Sequence, residues 1–226
     1  YLLILAVAAY GYRQLWFETE KQVRAAYENF LKDDPAIRRV HSAPIITGYP
    51  GPIRLRVAED SLETSKGSVK VENIVASGWP VPFTSIAISA GPVTVKSFKW
   101  AEPLVFNTLD SVISWKDKEQ TLAVKNFILK QGDFEGDASG TVSFLGAIEP
   151  EITVTFKNHA AFLLHLANLQ ILEERQALFM TAGFSLLAQD GVVSVPLTRR
   201  GQTLYAGPLP VASLPDEPLR EHDSRP

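Results

Sequence analysis

Ile53-Arg54-Leu55-Arg56-Val57 and Glu151-Ile152-Thr153-Val154-Thr155-Phe156-Lys157 decide the fold, because in each an apolar side chain stands at every second position. Successive side chains of a strand point to opposite faces, so this period buries one face and wets the other. The pattern recurs outward from both stretches. Val69 and Val71 alternate with Lys70 and Glu72, Ile86 and Ile88 flank Ala87, and Val93 and Val95 alternate with Thr94 and Lys96. Leu122 and Val124 are followed by Phe127, so the alternation changes phase near Asn126, and Val142 and Phe144 alternate with Thr141 and Ser143. Turn residues separate the runs at Gly48-Tyr49-Pro50-Gly51-Pro52, Gly78-Trp79-Pro80, Gly91-Pro92, Glu102-Pro103, Gly132-Asp133 and Glu149-Pro150. Short turns between strands, with no long helical pattern among them, predict an antiparallel meander and not a parallel βαβ sheet.

Two helical patterns flank this body. Between about residues 159 and 188, Phe162, Leu166 and Leu169 share one helical face, and Ala177, Met180, Phe184 and Leu187 share another. These predict two short helices joined near Ile171–Glu173. Strands return at Val192–Leu197, turn at Arg200-Gly201 and pair back through Gln202–Tyr205. The charged tail 216–226 is expected to be disordered. The predicted fold class is therefore mainly β (β-rich α+β): a curved antiparallel sheet or meander over 44–215, with an N-terminal helix over 1–34 and a late helical pair.

The front of the chain reads as a membrane anchor. Leu2-Leu3-Ile4-Leu5-Ala6-Val7-Ala8-Ala9 is uncharged and apolar, and Tyr10, Tyr12, Arg13, Trp16 and Phe17 follow it. Aromatic rings beside a cation suit a membrane–water interface, where an amphipathic side chain sits half wet. A spanning helix takes about 20 apolar residues and fewer stand here, so either the rest lies upstream or the true start is close by; a cleaved signal segment and a buried core helix of a soluble protein are the alternatives. Leu15, Trp16, Val23, Tyr27, Phe30 and Leu31 extend the helical period until Pro35, which cannot continue a helix.

Chemistry-bearing patterns are sparse. The chain has 226 residues, a net charge of −3 and no cysteine, which excludes disulfides and thiolate chemistry and leaves no clustered basic excess for nucleic acid. His41, His159, His165 and His222 show no metal-pair spacing; His159 and His165 read as a cap and a half-buried helix residue. There is no nucleophile elbow, zinc-protease helix, phosphate loop or dinucleotide fingerprint. Gly132-Asp-Phe-Glu-Gly-Asp-Ala-Ser-Gly140 is acidic and glycine-rich, but its alternating Phe134 and Ala138 read as an edge strand, not a calcium loop. Asp110 with Asp117, or Glu173 with Glu174, read as solvated charges, and Arg199-Arg200 as a solvated turn. No catalytic residue, metal or cofactor is expected.

The order of features also carries a resemblance. Leu15-Trp16-Phe17 on a juxtamembrane helix is followed by Thr47-Gly48-Tyr49-Pro50-Gly51-Pro52-Ile53-Arg54-Leu55. A helical pair then precedes Asp190-Gly191, Val195-Pro196-Leu197-Thr198 and Gly201-Gln202-Thr203-Leu204-Tyr205-Ala206-Gly207-Pro208-Leu209-Pro210. This resembles the uncharacterised envelope family called domain of unknown function 2125, found mainly in alphaproteobacteria. That family reads Gly-Phe-Pro where this chain has Gly48-Tyr49-Pro50 and an added Gly51-Pro52. The resemblance implies a single-pass inner-membrane anchor with the main domain in the periplasm, and it supplies no catalytic residues. The architecture is also similar, at the level of fold alone, to AsmA-like proteins, whose curved sheet makes a lipid groove.

Two functional expectations result. In the first, the sheet presents an apolar groove to lipid or another amphiphile, lined by Trp79, Phe83, Phe98, Trp100, Phe106, Trp115 and Phe127. In the second, the protein is a structural or accessory subunit of an envelope complex, with sheet edges open to a partner. Neither is an enzyme.

Overall fold

The computed structural model describes residues 2–30, 32, 34–80, 85–116, 120–144, 149–207 and 209–213. The chain is mainly β, and every strand pairing with a described register is antiparallel. It forms two compact units, Tyr1–Leu109 and Asp110–Pro226. Phe83, Asp117 and the tail 216–226 lie outside the described residues.

The first unit opens with α1 (Leu2–Asn29), followed by β1 (Arg38–His41), β2 (Ile45–Thr47), β3 (Ile53–Thr64), β4 (Gly67–Gly78), β5 (Ile86–Ala90), β6 (Val93–Ser97) and β7 (Leu104–Phe106). β3 and β4 form a long hairpin. β1 and β2 lie end to end along the free edge of β3, and β5 and β6 do the same along β4. α1 stops at Asn29, well before Pro35, where the sequence pattern had continued to about residue 34. The Arg39 guanidinium caps this end, donating from Nη1 to the Tyr27 carbonyl and, at 3.0 Å, to the Phe30 carbonyl. Those are the carbonyls that a helix end leaves without partners. The sheet also starts earlier than expected, at Arg38.

Side-chain alternation shifts phase along one line across this sheet. α1 meets Leu55 and Asp60 from the same side, although an unbroken strand would point residues of odd and even number apart. The shift in β3 lies at Ala58–Glu59. Beside it in β4 stands Asn73, with φ +52°, and beside that Gly91-Pro92 separates β5 from β6. Gly91 cannot be replaced there: a Cβ would stand 2.3 Å from the Asn107 carbonyl oxygen. Because the strands slip together, Ile53, Leu55 and Val57 keep one face in common with Leu62, Val69, Val71, Val93 and Val95.

The second unit holds β8 (Thr108–Lys116), which starts at the boundary, then β9 (Thr121–Gln131), β10 (Phe134–Ser143) and β11 (Glu149–Lys157). After these come α2 (His159–Asn168), α3 (Glu174–Leu187), β12 (Val192–Arg200), β13 (Thr203–Ala206) and β14 (Leu209–Ser213). Its strands lie side by side in chain order, β8 to β14, as the short turns predict. β10 pairs with β9 and β11 on either side, so the glycine-rich acidic segment is an interior strand and not an edge. Its small residues explain this: Gly136 lies 3.3 Å, measured from an ideal Cβ, from the Phe134 ring, which leaves room for Phe134, Phe156 and Phe162 to stack. The phase change near Asn126 is a β-bulge, since Lys125 and Asn126 together stand opposite Ser139 alone.

α2 and α3 cover one end of this sheet's apolar face. Leu163, Ala177, Phe184, Val193 and Val195 form the buried core, with Val154, Phe156, Leu166 and Met180 packed against it. α3 is started by a reciprocal capping box between Glu173 and Gln176. Asp190 and Gly191, at φ +51° and +77°, turn the chain back into β12. The opposite face is polar, with Glu135 bridging Lys130 at 3.0 Å and Lys157 at 2.5 Å.

Candidate functional site

Two features of the first unit arise from how α1 sits on its sheet. Trp16 is 2% exposed, and its indole Nε1 donates to the Gly51 carbonyl at 2.9 Å. Tyr12 Oη donates to the Pro50 carbonyl at 2.7 Å, and the Phe17 ring stacks on Tyr49 at 5.5 Å. Of the five residues expected at a membrane interface, Trp16 is thus a core residue, and Tyr12 and Phe17 pack on the Tyr49–Gly51 turn. Only Tyr10 and Arg13 stand clear of the sheet. Tyr10 is exposed and hydrogen-bonds Gln14, and Arg13 lies over Phe17 at 5.7 Å.

One helical turn before the docked ring, the environment changes. Ala8, Ala9, Tyr10 and Gly11 are all exposed, so the helix leaves the sheet there on every side. The apolar run 2–9 at the front of α1 ends among these exposed positions. At about 1.5 Å per residue it covers about 12 Å, less than half of a hydrocarbon core about 30 Å thick. Among the described residues, no helix is long and apolar enough to cross a membrane.

The other end of α1 is clamped. Arg39 Nη2 pairs with Asp60 Oδ2 at 2.6 Å in a site where both side chains are largely buried. Tyr27 Oη donates to the same carboxylate at 2.7 Å, and the guanidinium lies 4.3 Å from the Tyr27 ring. Burial, then the hydrogen bond to the Asp60 carboxylate, push the Tyr27 phenol well above its ordinary range. Burial works against the Arg39 charge, but Asp60 more than offsets it and the guanidinium pKa is raised. The cluster is a cap and a clamp: its charges are paired and leave no group free for proton transfer.

Between clamp and docked indole lies a cleft of about 220 Å³, lined by Val23 and Ala26 of α1, Ile53 and Leu55 of β3, Ala76 to Gly78 of β4, and Ile86 of β5. Ala76 stands opposite both Leu55 and Ile88. Three of the lining positions carry little or no side chain, and no charged group lines the cleft. No sequence period marks this cleft, since Ala26, Ala76 and Gly78 stand at unrelated spacings.

In the second unit the apolar face runs on beyond the helices. Leu122, Val142, Val124, Ile152 and Leu197 share the face of Val154 and Val195 through their cross-strand partners. None belongs to the buried core cluster, and each is half-buried. Trp115 and Phe144 lie at the end of this strip, 5.8 Å apart.

The aromatics expected to line one groove are divided between the two units. Trp79, Phe98, Trp100 and Phe106 belong to the first unit, and Trp115 and Phe127 to the second. Phe98 is 72% exposed and Trp79 is also exposed, whereas Phe106 is buried. Trp100 borders a separate cleft of about 350 Å³ with Ile37, Leu62, Val69 and Val95.

No group of histidine, aspartate and glutamate side chains suited to a metal occurs among the described residues. His165 pairs with Gln131 at 2.8 Å, as a half-buried helix residue. His159 opens α2 without capping it; its ring is buried against Phe184, with no hydrogen-bond partner at either nitrogen.

The model of one family, described as uncharacterised protein conserved in bacteria, DUF2125, matches residues 103–215, half of the chain. No curated protein and no solved structure matches.

Proposed function

The chain belongs to the DUF2125 family of uncharacterised bacterial proteins, and from that premise we propose that it is a non-catalytic, membrane-tethered periplasmic module that binds lipid or another amphiphile. The observation that carries this reading is the apolar face of the second unit's sheet. α2 and α3 bury one end of it, while Leu122, Val124, Val142, Ile152 and Leu197 stay half-buried. A folded domain gains by covering such a strip, and a hydrocarbon chain covers it without hydrogen bonds to satisfy. The tether is supported by the apolar run 2–9 at the front of α1 and by the exposure of Ala8 to Gly11. In this reading that segment belongs to a single span that holds the domain at the bacterial inner membrane.

Mass spectrometry of the protein after gentle extraction tests the reading. A defined lipid stoichiometry is expected, and its loss on Val124→Asp or Ile152→Asp follows if the strip is the contact. No retained lipid overturns it.

The second reading, an accessory subunit of an envelope complex, is favoured by a different surface. The outer side of α3 exposes Leu178, Phe179 and Leu186, the last 88% accessible. A stable protein partner retained without lipid supports this reading over the first.

A further inference from the structure

We propose that the cleft between α1 and strands β3 to β5 is a binding site for a single unbranched alkyl chain. The proposal rests on the amphiphile reading and adds to it a second contact, in the first unit, besides the strip of the second. Protein interiors pack to crystal density and leave few voids larger than a water molecule. Here about 220 Å³ stays open between a helix and the sheet on which it is anchored at both ends. The anchors explain why the gap does not collapse. Trp16 is fixed to Gly51, Arg39 is fixed to Asp60 and to the end of α1, and Arg24 Nη1 donates to the Pro44 carbonyl at 3.1 Å. Between these points the helix presents Val23 and Ala26 to Leu55, Ala76 and Ile86, and small side chains cannot bridge the distance.

The lining selects the occupant. No charged group lines the cleft, and apart from Ser77 its lining residues carry no polar side chain. An apolar void of about 150 Å³ stays dry and accepts a benzene ring. On the ratio of volumes, this cleft takes an alkyl segment of roughly nine carbons, too little for a sterol or for both chains of a diacyl lipid. The headgroup and the rest of the chain then lie outside it.

Calorimetric titration of the full chain with decanoate tests the site, beside the variants Ala76→Leu and Ala26→Leu. Each variant places an isobutyl group in the space the alkyl chain needs. Saturable binding at one site is expected, weakened about tenfold or more in each variant. Thermal unfolding gives the control: the variants should melt no lower than the parent, and decanoate should raise the melting temperature of the parent only. Ala26 borders the cleft but is exposed there, so its variant folds even if Ala76→Leu does not. Undiminished binding in a folded variant, or no binding of decanoate by the parent, overturns the cleft as the site. The amphiphile reading falls separately, only when the extracted protein retains no lipid.

Discussion

The indole of Trp16 donates its hydrogen bond to the carbonyl of Gly51, 35 residues later in the chain, at 2.9 Å. That contact decides what the aromatic belt of α1 does. The ring also meets Phe17 and Tyr49 edge to face, at 5.3 and 5.6 Å. Trp16→Ala should therefore cost about 3–5 kcal/mol of stability, as for other buried large aromatics. Trp16→Phe keeps most of the packing and strands one acceptor, at about 1 kcal/mol. Urea denaturation of both variants checks the order. Equal and small losses would mean that the ring is not a core residue.

Tyr27, Arg39 and Asp60 give a pH dependence at the alkaline end. The folded state holds the Tyr27 phenol protonated, because burial and the neighbouring Asp60 carboxylate both oppose a phenolate. The unfolded chain ionises near the ordinary value of about 10. The contribution is thus fully present below that pH and is lost as pH rises from there toward the folded value. Stability should fall above about pH 10, more steeply than in Tyr27→Phe. Ultraviolet absorbance of the phenolate, followed alongside unfolding, checks the sign. In the same cluster, Asp60→Ala leaves a largely buried guanidinium unpaired and should cost about 3–5 kcal/mol.

Much of the architecture was legible because it rests on local period. Ile53 to Val57 and Ile152 to Phe156 each show their buried face within a few residues, and the odd step from Val124 to Phe127 betrayed the bulge in β9. The matching slip at Ala58, Asn73 and Gly91 was hidden, because Gly91-Pro92 reads as a loop and only cross-strand pairing shows it aligned with its neighbours. Trp16 was misplaced for a related reason. Rings beside a cation look alike whether they face headgroups or a turn 35 residues away. Pro35 marks a helix limit in the sequence, but α1 stops earlier, at Asn29, where Arg39 of β1 caps the last carbonyls. Half-buried Leu122 and buried Val195 carry the same sequence signal, so the extent of α2–α3 coverage could be known only from their packing.

Gly140 tests the bulge. Its φ is +144°, and a Cβ there would stand 2.1 Å from the Glu151 carbonyl oxygen and 2.7 Å from the Ile152 Cα. Both obstacles are backbone of the paired strand, so neither can rotate away. Gly140→Ala should cost more than about 2 kcal/mol. Gly132→Ala, at φ +54° with open space around it, should cost less, about 1 kcal/mol. Comparing the two unfolding midpoints separates close approach from backbone strain.

The outer side of α3 offers a prediction that bears on function without touching the core. Ala177 and Phe184 of this helix are buried, yet Leu178, Phe179 and Leu186 are exposed, Phe179 to 73%. Apart from Glu174 and Arg175 in its first turn, α3 carries no charge. Helices that are apolar on every side are normally covered on every side. Replacing Leu178, Phe179 and Leu186 together by serine removes exposed surface only, so stability should change by no more than about 0.5 kcal/mol per site. What should change is association: sedimentation velocity on the parent should show concentration-dependent self-association or a bound partner, and the triple variant should sediment as a monomer. If parent and variant sediment identically as monomers at every concentration, with no partner on either, the face has no role in assembly and the accessory-subunit reading loses its support. If association persists in the folded variant, the contact lies on another surface.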